Sequence, residues 1–295
     1  MARRNKKIHS GPWNGFLMVV AWLGAKMRGG AARLGLNGAL LLVILAATVA
    51  GVWLAARFAG TLPVFRVYPS WFKAKAPPWC ARDLEAVRFP RESYSIFDPA
   101  LTREVAQAYL ASPWVRAVRS VRKRFPNRLS IQLQLREPIA FVRLGNDYRA
   151  VDNQAVHLPL AFSRWPHRER PLPIVFGVEG KAPPPGTVWR EPHVAAAVAV
   201  LNALAAAPEV YRAVQFVDVS NLDGKIAPLQ SEVMLMTRRR VRVAWGRPPG
   251  TNRFGEPPVA WKLARLREWL NHPVPLSAGT HLDLRFPDAE TIVRR

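Results

Sequence analysis

Few residues in this chain have the types and spacing that catalysis requires. Six histidines stand at positions 9, 157, 167, 193, 272 and 281, and no two fall at metal-ligand spacing. No serine lies in a GxSxG elbow, and no glycine-rich loop leads to the Lys-Ser/Thr pair that cradles a phosphate. Asp218 and Asp223 are close enough in sequence to act as paired carboxylates, but Asn221 and Gly224 beside them mark a turn. Cys80 is the one cysteine, so no intramolecular disulfide forms, and it reads as an idle thiol. The sequence therefore implies neither a cofactor nor a metal. An envelope hydrolase is the enzyme class kept as an alternative.

Basic residues are the more prominent chemistry. The formal net charge is +23, with clusters at Arg116, Arg119, Arg122, Lys123 and Arg124, and again at Arg238, Arg239 and Arg240. Such a chain favours anionic partners: nucleic acid, anionic lipid or an anionic wall polymer. The choice among them depends on where the clusters lie relative to a membrane.

From Leu34 to Ala56 no residue is charged, and Arg33 and Arg57 bracket the run. At about 1.5 Å per residue such a helix spans a hydrocarbon core of about 30 Å. The transmembrane helix is placed at 37–58. It starts too far from Met1 to be a cleaved signal peptide. Arg3, Arg4, Lys6, Lys7, Lys26, Arg28 and Arg33 precede it, and no acid appears before Asp83. Positive flanks stay cytoplasmic, so the tail at 1–36 is expected inside and the rest outside. That places both basic clusters away from the chromosome and argues against nucleic acid. A second apolar stretch, Gly15 to Ala25, is too short to span and suits the headgroup plane.

Beyond the span, residues 59–82 read as a Pro- and Lys-rich linker. Leu84 to Phe89 reads as a short strand. Asp98-Pro99 has the signature of an N-cap followed by Pro at the first helical position, with Leu101, Val105, Ala108 and Tyr109 at helical spacing. Val115, Val118 and Val121 lead a basic strand to a Pro126-Asn127 turn. Leu129, Ile131, Leu133 and Leu135 then alternate with polar residues, predicting a strand with one buried face. After Pro138 the pattern is mostly strand. Hairpins are expected around Gly145-Asn146-Asp147 and Asp152-Asn153-Gln154, and a loop from Ser163 to Pro173. Further strands fall at Ile174 to Phe176, Val214 to Val219, Glu232 to Thr237 and Val241 to Trp245. Helices fall at Val194 to Ala207 and around Val259 to Leu270. A final hairpin pairs His281 to Phe286 with Glu290 to Arg294.

The run VRKRFPNRLSIQLQLREPIAFV, Val121 to Val142, resembles the end of the POTRA domain in FtsQ/DivIB cell-division proteins. Its marks are a basic strand, an aromatic-Pro turn, an alternating strand and an acid, Glu137, before Pro138. Ser112-Pro113-Trp114-Val115 is similar to that family's turn into the basic strand. Tyr148 to Pro159 resembles the first hairpin of its β domain. Trp245-Gly246-Arg247, Trp261 to Leu270 and Leu282 to Phe286 resemble its closing elements. The ordered set carries the likeness. It implies an α+β protein: one transmembrane helix, a POTRA domain (β-α-α-β-β) at 83–138, and a mostly antiparallel β domain with two helices at 139–295. The implied role is a non-enzymatic divisome scaffold of the inner membrane at the septum, recruiting FtsB- and FtsL-like proteins. The outer strand of the final hairpin is the expected partner edge, with Arg285, Phe286, Glu290, Thr291, Ile292, Val293 and Arg294 as partner-binding residues. A POTRA-bearing envelope assembly or secretion factor is the alternative within the same class.

Overall fold

The computed structural model describes residues 36–72, 75–164, 171–251, 255–272, 278–287 and 292–293. The basic tail and the apolar segment Gly15 to Ala25 lie outside the described residues. Helix α1, Leu36–Ala59, contains a 20-residue stretch, Leu40–Ala59, long and apolar enough to cross a membrane. None of the described side chains of Leu40–Ala59 is buried in protein.

The chain divides into two compact units. The first holds Met1–Val67, Ser93–Asp98 and Phe125–Asn127. There α1 is followed by a 3-10 turn, Pro63–Phe65, and by β1, Arg66–Val67, which pairs antiparallel with β2, Tyr94–Ser95.

The second unit contains everything else. Helix α2, Pro78–Glu85, replaces the strand expected from Leu84 to Phe89. Pro78 sits at its first position, where the missing N–H costs nothing, and Cys80 and Leu84, four apart, share its buried side. Helix α3, Leu101–Leu110, begins after Ala100. Asp98 and Pro99 precede it, and Ala100 rather than Asp98 stands at the N-cap position. Strands β3, Val115–Arg124, and β4, Arg128–Leu135, form a hairpin. Here the valines recur every three residues and the leucines every two. The register reconciles them: Val115, Val118 and Val121 oppose Leu135, Leu133 and Ile131, with two bulges absorbing the extra residues. The apolar face predicted on β4 is only half buried; none of Leu129, Ile131, Leu133 and Leu135 is fully covered. The strands β1 to β4 form two separate two-stranded sheets, and the element order is β-α-β-α-β-β.

The main sheet has nine strands in the order β13-β12-β11-β10-β9-β8-β5-β6-β7. They are β5 Pro138–Leu144, β6 Asp147–Asp152, β7 His157–Phe162, β8 Ile174–Phe176, β9 Val214–Asp218, β10 Val233–Thr237, β11 Arg242–Gly246, β12 Thr280–Asp283 and β13 Ile292–Val293. The sheet is mixed. β5–β8, β8–β9 and β11–β12 are parallel and the other neighbours antiparallel. Parallel neighbours need crossovers. Helices α4, Pro192–Leu204, and α5, Pro208–Ala213, make the one from β8 to β9, and α6, Val259–Leu270, makes the one from β11 to β12. Three helices therefore stand where two were expected. Pro208 begins a second helix just beyond Ala207, where the expected one ends. Glu191 caps α4, accepting from Val194 N at 2.9 Å. Val142, Val175, Val217, Leu235, Val243 and Leu282 share one face of the sheet and form a core with Val194, Ala197, Leu201, Leu204, Leu263 and Leu266 from the helices. Each such side chain contributes about 1.5–3 kcal/mol.

Two polar pairs hold the elements that lead up to this sheet. Trp114 Nε1 donates to Asp83 Oδ2 at 2.6 Å, tying α2 to the start of β3. Arg136 Nη1 donates to Asp152 Oδ2 at 2.7 Å, and the other oxygen of Asp152 accepts from Gln154 N and Val156 N, each at 2.8 Å. Asp152 is 1% exposed. Losing its cation would leave a buried charge unmatched, at a cost of about 3–5 kcal/mol. Arg136→Met should therefore lower the thermal unfolding midpoint of the purified protein sharply. Glu137→Ala, at an exposed neighbour, should leave it unchanged within error. Equal midpoints for the two variants would refute this role for Arg136.

Candidate partner edge and its flanking groove

β12 carries the residues that build the site. The strand ends at Asp283 because Arg285 folds back on it. Arg285 N and Nε donate to Asp283 Oδ1 at 3.0 Å, and Nη2 donates to Oδ2 at 2.7 Å. Nη1 donates to the Leu229 carbonyl at 2.7 Å. The guanidinium lies 5.2 Å from the centre of the Phe286 ring, which is 55% exposed. Burial pushes the Asp283 carboxyl up, but the bonds and charge of Arg285, with a further contribution from His281, hold it below the usual carboxylate range. The hydrogen bonds to Asp283 raise Arg285 in turn. Arg285 is thus a presented cation already matched within the chain. An incoming carboxylate must share it with Asp283.

Among the described residues β13 pairs with β12 alone, with Thr280 opposite Val293 and His281 opposite Ile292. Arg285, Phe286 and the Ile292–Val293 backbone are therefore at one end of the sheet. Glu290, Thr291 and Arg294 lie outside the described residues.

The opposite end is partly blocked. Pro159 interrupts the donor row of β7. The segment 180–189 also straps that edge. Val156 bridges Val188, His157 N donates to Thr187 O at 3.0 Å, and Gly186 N donates to His157 O at 2.7 Å. The His157 ring adds a bond from Nδ1 to the Pro183 carbonyl at 2.6 Å, which puts the proton on Nδ1. Burial lowers its pKa, opposed by that bond and assisted by the charge of Arg149, so the ring is neutral at pH 7. It lines a cavity of about 500 Å³ with Arg149, Asp147 and Lys181.

Sequence reasoning missed a groove on the sheet face opposite the helices. Phe176, Phe216, Met234, Met236 and Ala244 share that face by register, with Arg242, His281 and Asp283 along one side. The groove holds about 1440 Å³ and reaches Leu229 and Arg285. One signal could have revealed it: Val233-Met234-Leu235-Met236 is apolar at both parities, so β10 has no wet face. Arg238 is a fastener here, bonding the Arg212 carbonyl at 2.8 Å and the Pro171 carbonyl at 2.5 Å.

Asp218 accepts from Ser220 N at 2.9 Å, and Asn221 caps Ile226 N and Ala227 N, so these residues form a turn. No three His, Cys, Asp or Glu side chains come together as metal ligands among the described residues. The chain matches no family model and no curated protein.

The edge is held in place by the far end of β11. Lys262 is 3% exposed, and its Nζ donates to the Trp245 carbonyl at 2.6 Å and to Glu256 Oε2 at 2.7 Å. Glu256 also accepts from Arg247 N at 3.1 Å. Gly246, at φ +95°, passes so close that a Cβ there would sit 2.3 Å from Glu256 Oε2. Glu256→Gln should strand the Lys262 cation and destabilise the protein by about 3–5 kcal/mol. Gly246→Ala should displace the same carboxylate and act in the same direction. Denaturant unfolding checks both. Wild-type stability in both variants would show that the corner does not depend on this ion pair.

Proposed function

We propose that this protein is a membrane-anchored, non-catalytic scaffold of the FtsQ/DivIB type. Its role would be to recruit FtsB- and FtsL-like division proteins at the septum by strand addition to β13. The observation that carries this reading is the asymmetry of the nine-stranded sheet. The β7 end is blunted by Pro159 and covered at its start, His157, by the strap, whereas β13 ends the sheet with neither device among the described residues. An extended segment laid on β13 gains main-chain bonds, and Phe286 and Arg285 beside it supply an apolar contact and a charge filter. Supporting context comes from the membrane-length helix α1, the hairpin β3–β4 with its basic strand, and the ordered set of sequence likenesses. On this reading the N-terminus is cytoplasmic and residues beyond α1 are periplasmic in the inner membrane. Anionic lipid or wall polymer would be a secondary partner of the basic surface.

Consecutive N–H groups in a strand point to opposite sides. Proline at Ile292 and proline at Val293 therefore remove one donor from the outer side and one from the β12 ladder. Co-purification of an FtsB-like partner from detergent extracts should fail for at least one of the two variants while circular dichroism stays native. Full capture by both, each folded, would move the site off this edge.

A further inference from the structure

The first compact unit brings together three aromatic rings that the scaffold reading does not use. Phe65 and Phe97 have ring centroids 5.1 Å apart, and Phe97 and Phe125 have theirs 5.7 Å apart. They come from three separate segments: the turn after α1, the turn after β2, and the loop joining β3 to β4. The β1–β2 pairing and a bond from Ile96 N to Phe65 O at 2.9 Å hold the first two in place. Yet Phe97 is 42% and Phe125 65% exposed, and Val64 beside them is 52% exposed. Single exposed apolar residues are ordinary, but a contiguous cluster marks a contact surface.

The chain itself says which surface. Between Ala59 and Phe65 it runs in tight turns: Thr61 N donates to Phe58 O, Leu62 N to Ala59 O, and Phe65 N to Leu62 O, at 3.0–3.1 Å. At about 1.5–2 Å per residue, Phe65 emerges only about 9–12 Å beyond the end of the span. The polar layer of one leaflet is about 5–8 Å deep. The distance beyond the span is an upper bound, because a chain in tight turns does not advance straight along the helix axis. The rings therefore stand at or just outside the polar layer, at the membrane–water boundary where aromatic side chains partition. Exposed Arg57, 5.3 Å from the Trp53 ring centre, and exposed Arg66 flank the same level, placed for lipid phosphates.

We infer that Phe65, Phe97 and Phe125 form an aromatic foot seated at the headgroup layer of the bilayer that α1 crosses, fastened by lipid phosphates at Arg57 and Arg66. This rests on α1 being a membrane span. The foot would plant the loop between β3 and β4 on the membrane rather than leave it free in water.

The full chain, with Cys80→Ala as background, is reconstituted in vesicles of equal parts phosphatidylglycerol and phosphatidylethanolamine. A nitroxide is attached singly at Val49→Cys, Asn127→Cys or Leu229→Cys. Power saturation then compares access of oxygen, which favours lipid, with access of a water-soluble nickel chelate. Val49 should read as hydrocarbon and Leu229 as water. Asn127 should read as interfacial, with chelate access several-fold below that at Leu229. Phe97→Ser with Phe125→Ser should raise chelate access at Asn127 to the Leu229 level without altering circular dichroism or the Val49 reading. If Asn127 reads as water while Val49 stays in hydrocarbon, the span stands and the foot is refuted. If Val49 reads as water, both fall together. An Asn127 reading unmoved by the double variant would also overturn the foot, because the rings would then not be what holds the loop at the interface.

Discussion

Lys262 lies where β11 hands the chain to α6, and its buried ammonium is matched by one carbonyl and one carboxylate. The rest of the closing half of the sheet follows from that match. β12 can lie parallel to β11 only if the chain crosses back over the core, and α6 makes the crossing. Without Glu256 and the Trp245 carbonyl, the first turn of α6 would carry an unpaired charge into an apolar layer. Gly246 is required at the same corner, since a side chain there would occupy the space of the Glu256 carboxylate. The position of β12, and hence of β13, depends on this corner.

The two ends of the sheet are treated differently, and the difference is chemical. At β7 a proline removes a donor and a strap occupies main-chain groups. His157 fastens that strap through both its backbone and its ring. At β13 the neighbouring groups look outward: an exposed Phe286 and a guanidinium already held in a carboxylate fork. The Asp283–Arg285 pair fixes the orientation of the cation before any partner arrives, so little side-chain freedom remains to be lost on binding. It also sets a threshold. Only a partner with a well-placed acid gains from Arg285, because the cation is not short of a counter-charge.

Local patterns predicted local structure well. The alternation from Leu129 to Leu135 became β4, the Gly145 turn joined β5 to β6, and the periodic leucines from Val259 became α6. Misreadings arose where a long-range contact decided. Leu84 to Phe89 resembled a strand because the signals for α2 are Pro78 and a Trp114–Asp83 bond that joins residues far apart in sequence. Asp98-Pro99 has the signature of a helix start, yet the chain makes one more turn before Leu101. The parallel pairs and the resulting mixed sheet could not be read from alternation, which is blind to strand direction. Of the candidate edge, the hairpin and its position were legible. The internal pairing of Arg285 was not, because an i, i+2 ion pair along a strand looks like ordinary alternating polarity. The groove went unnoticed because its floor is assembled from strands far apart in sequence, which only the sheet register brings side by side.

These features describe a chain with a membrane-length helix, a sheet whose two ends are built differently, and a guanidinium oriented beside one of them. The account stands or falls on where the protein works. A fluorescent fusion of the full chain, imaged in dividing cells at native expression, should gather in a band at midcell before constriction. An even stain around the envelope at every stage of the cycle would contradict the division-scaffold reading.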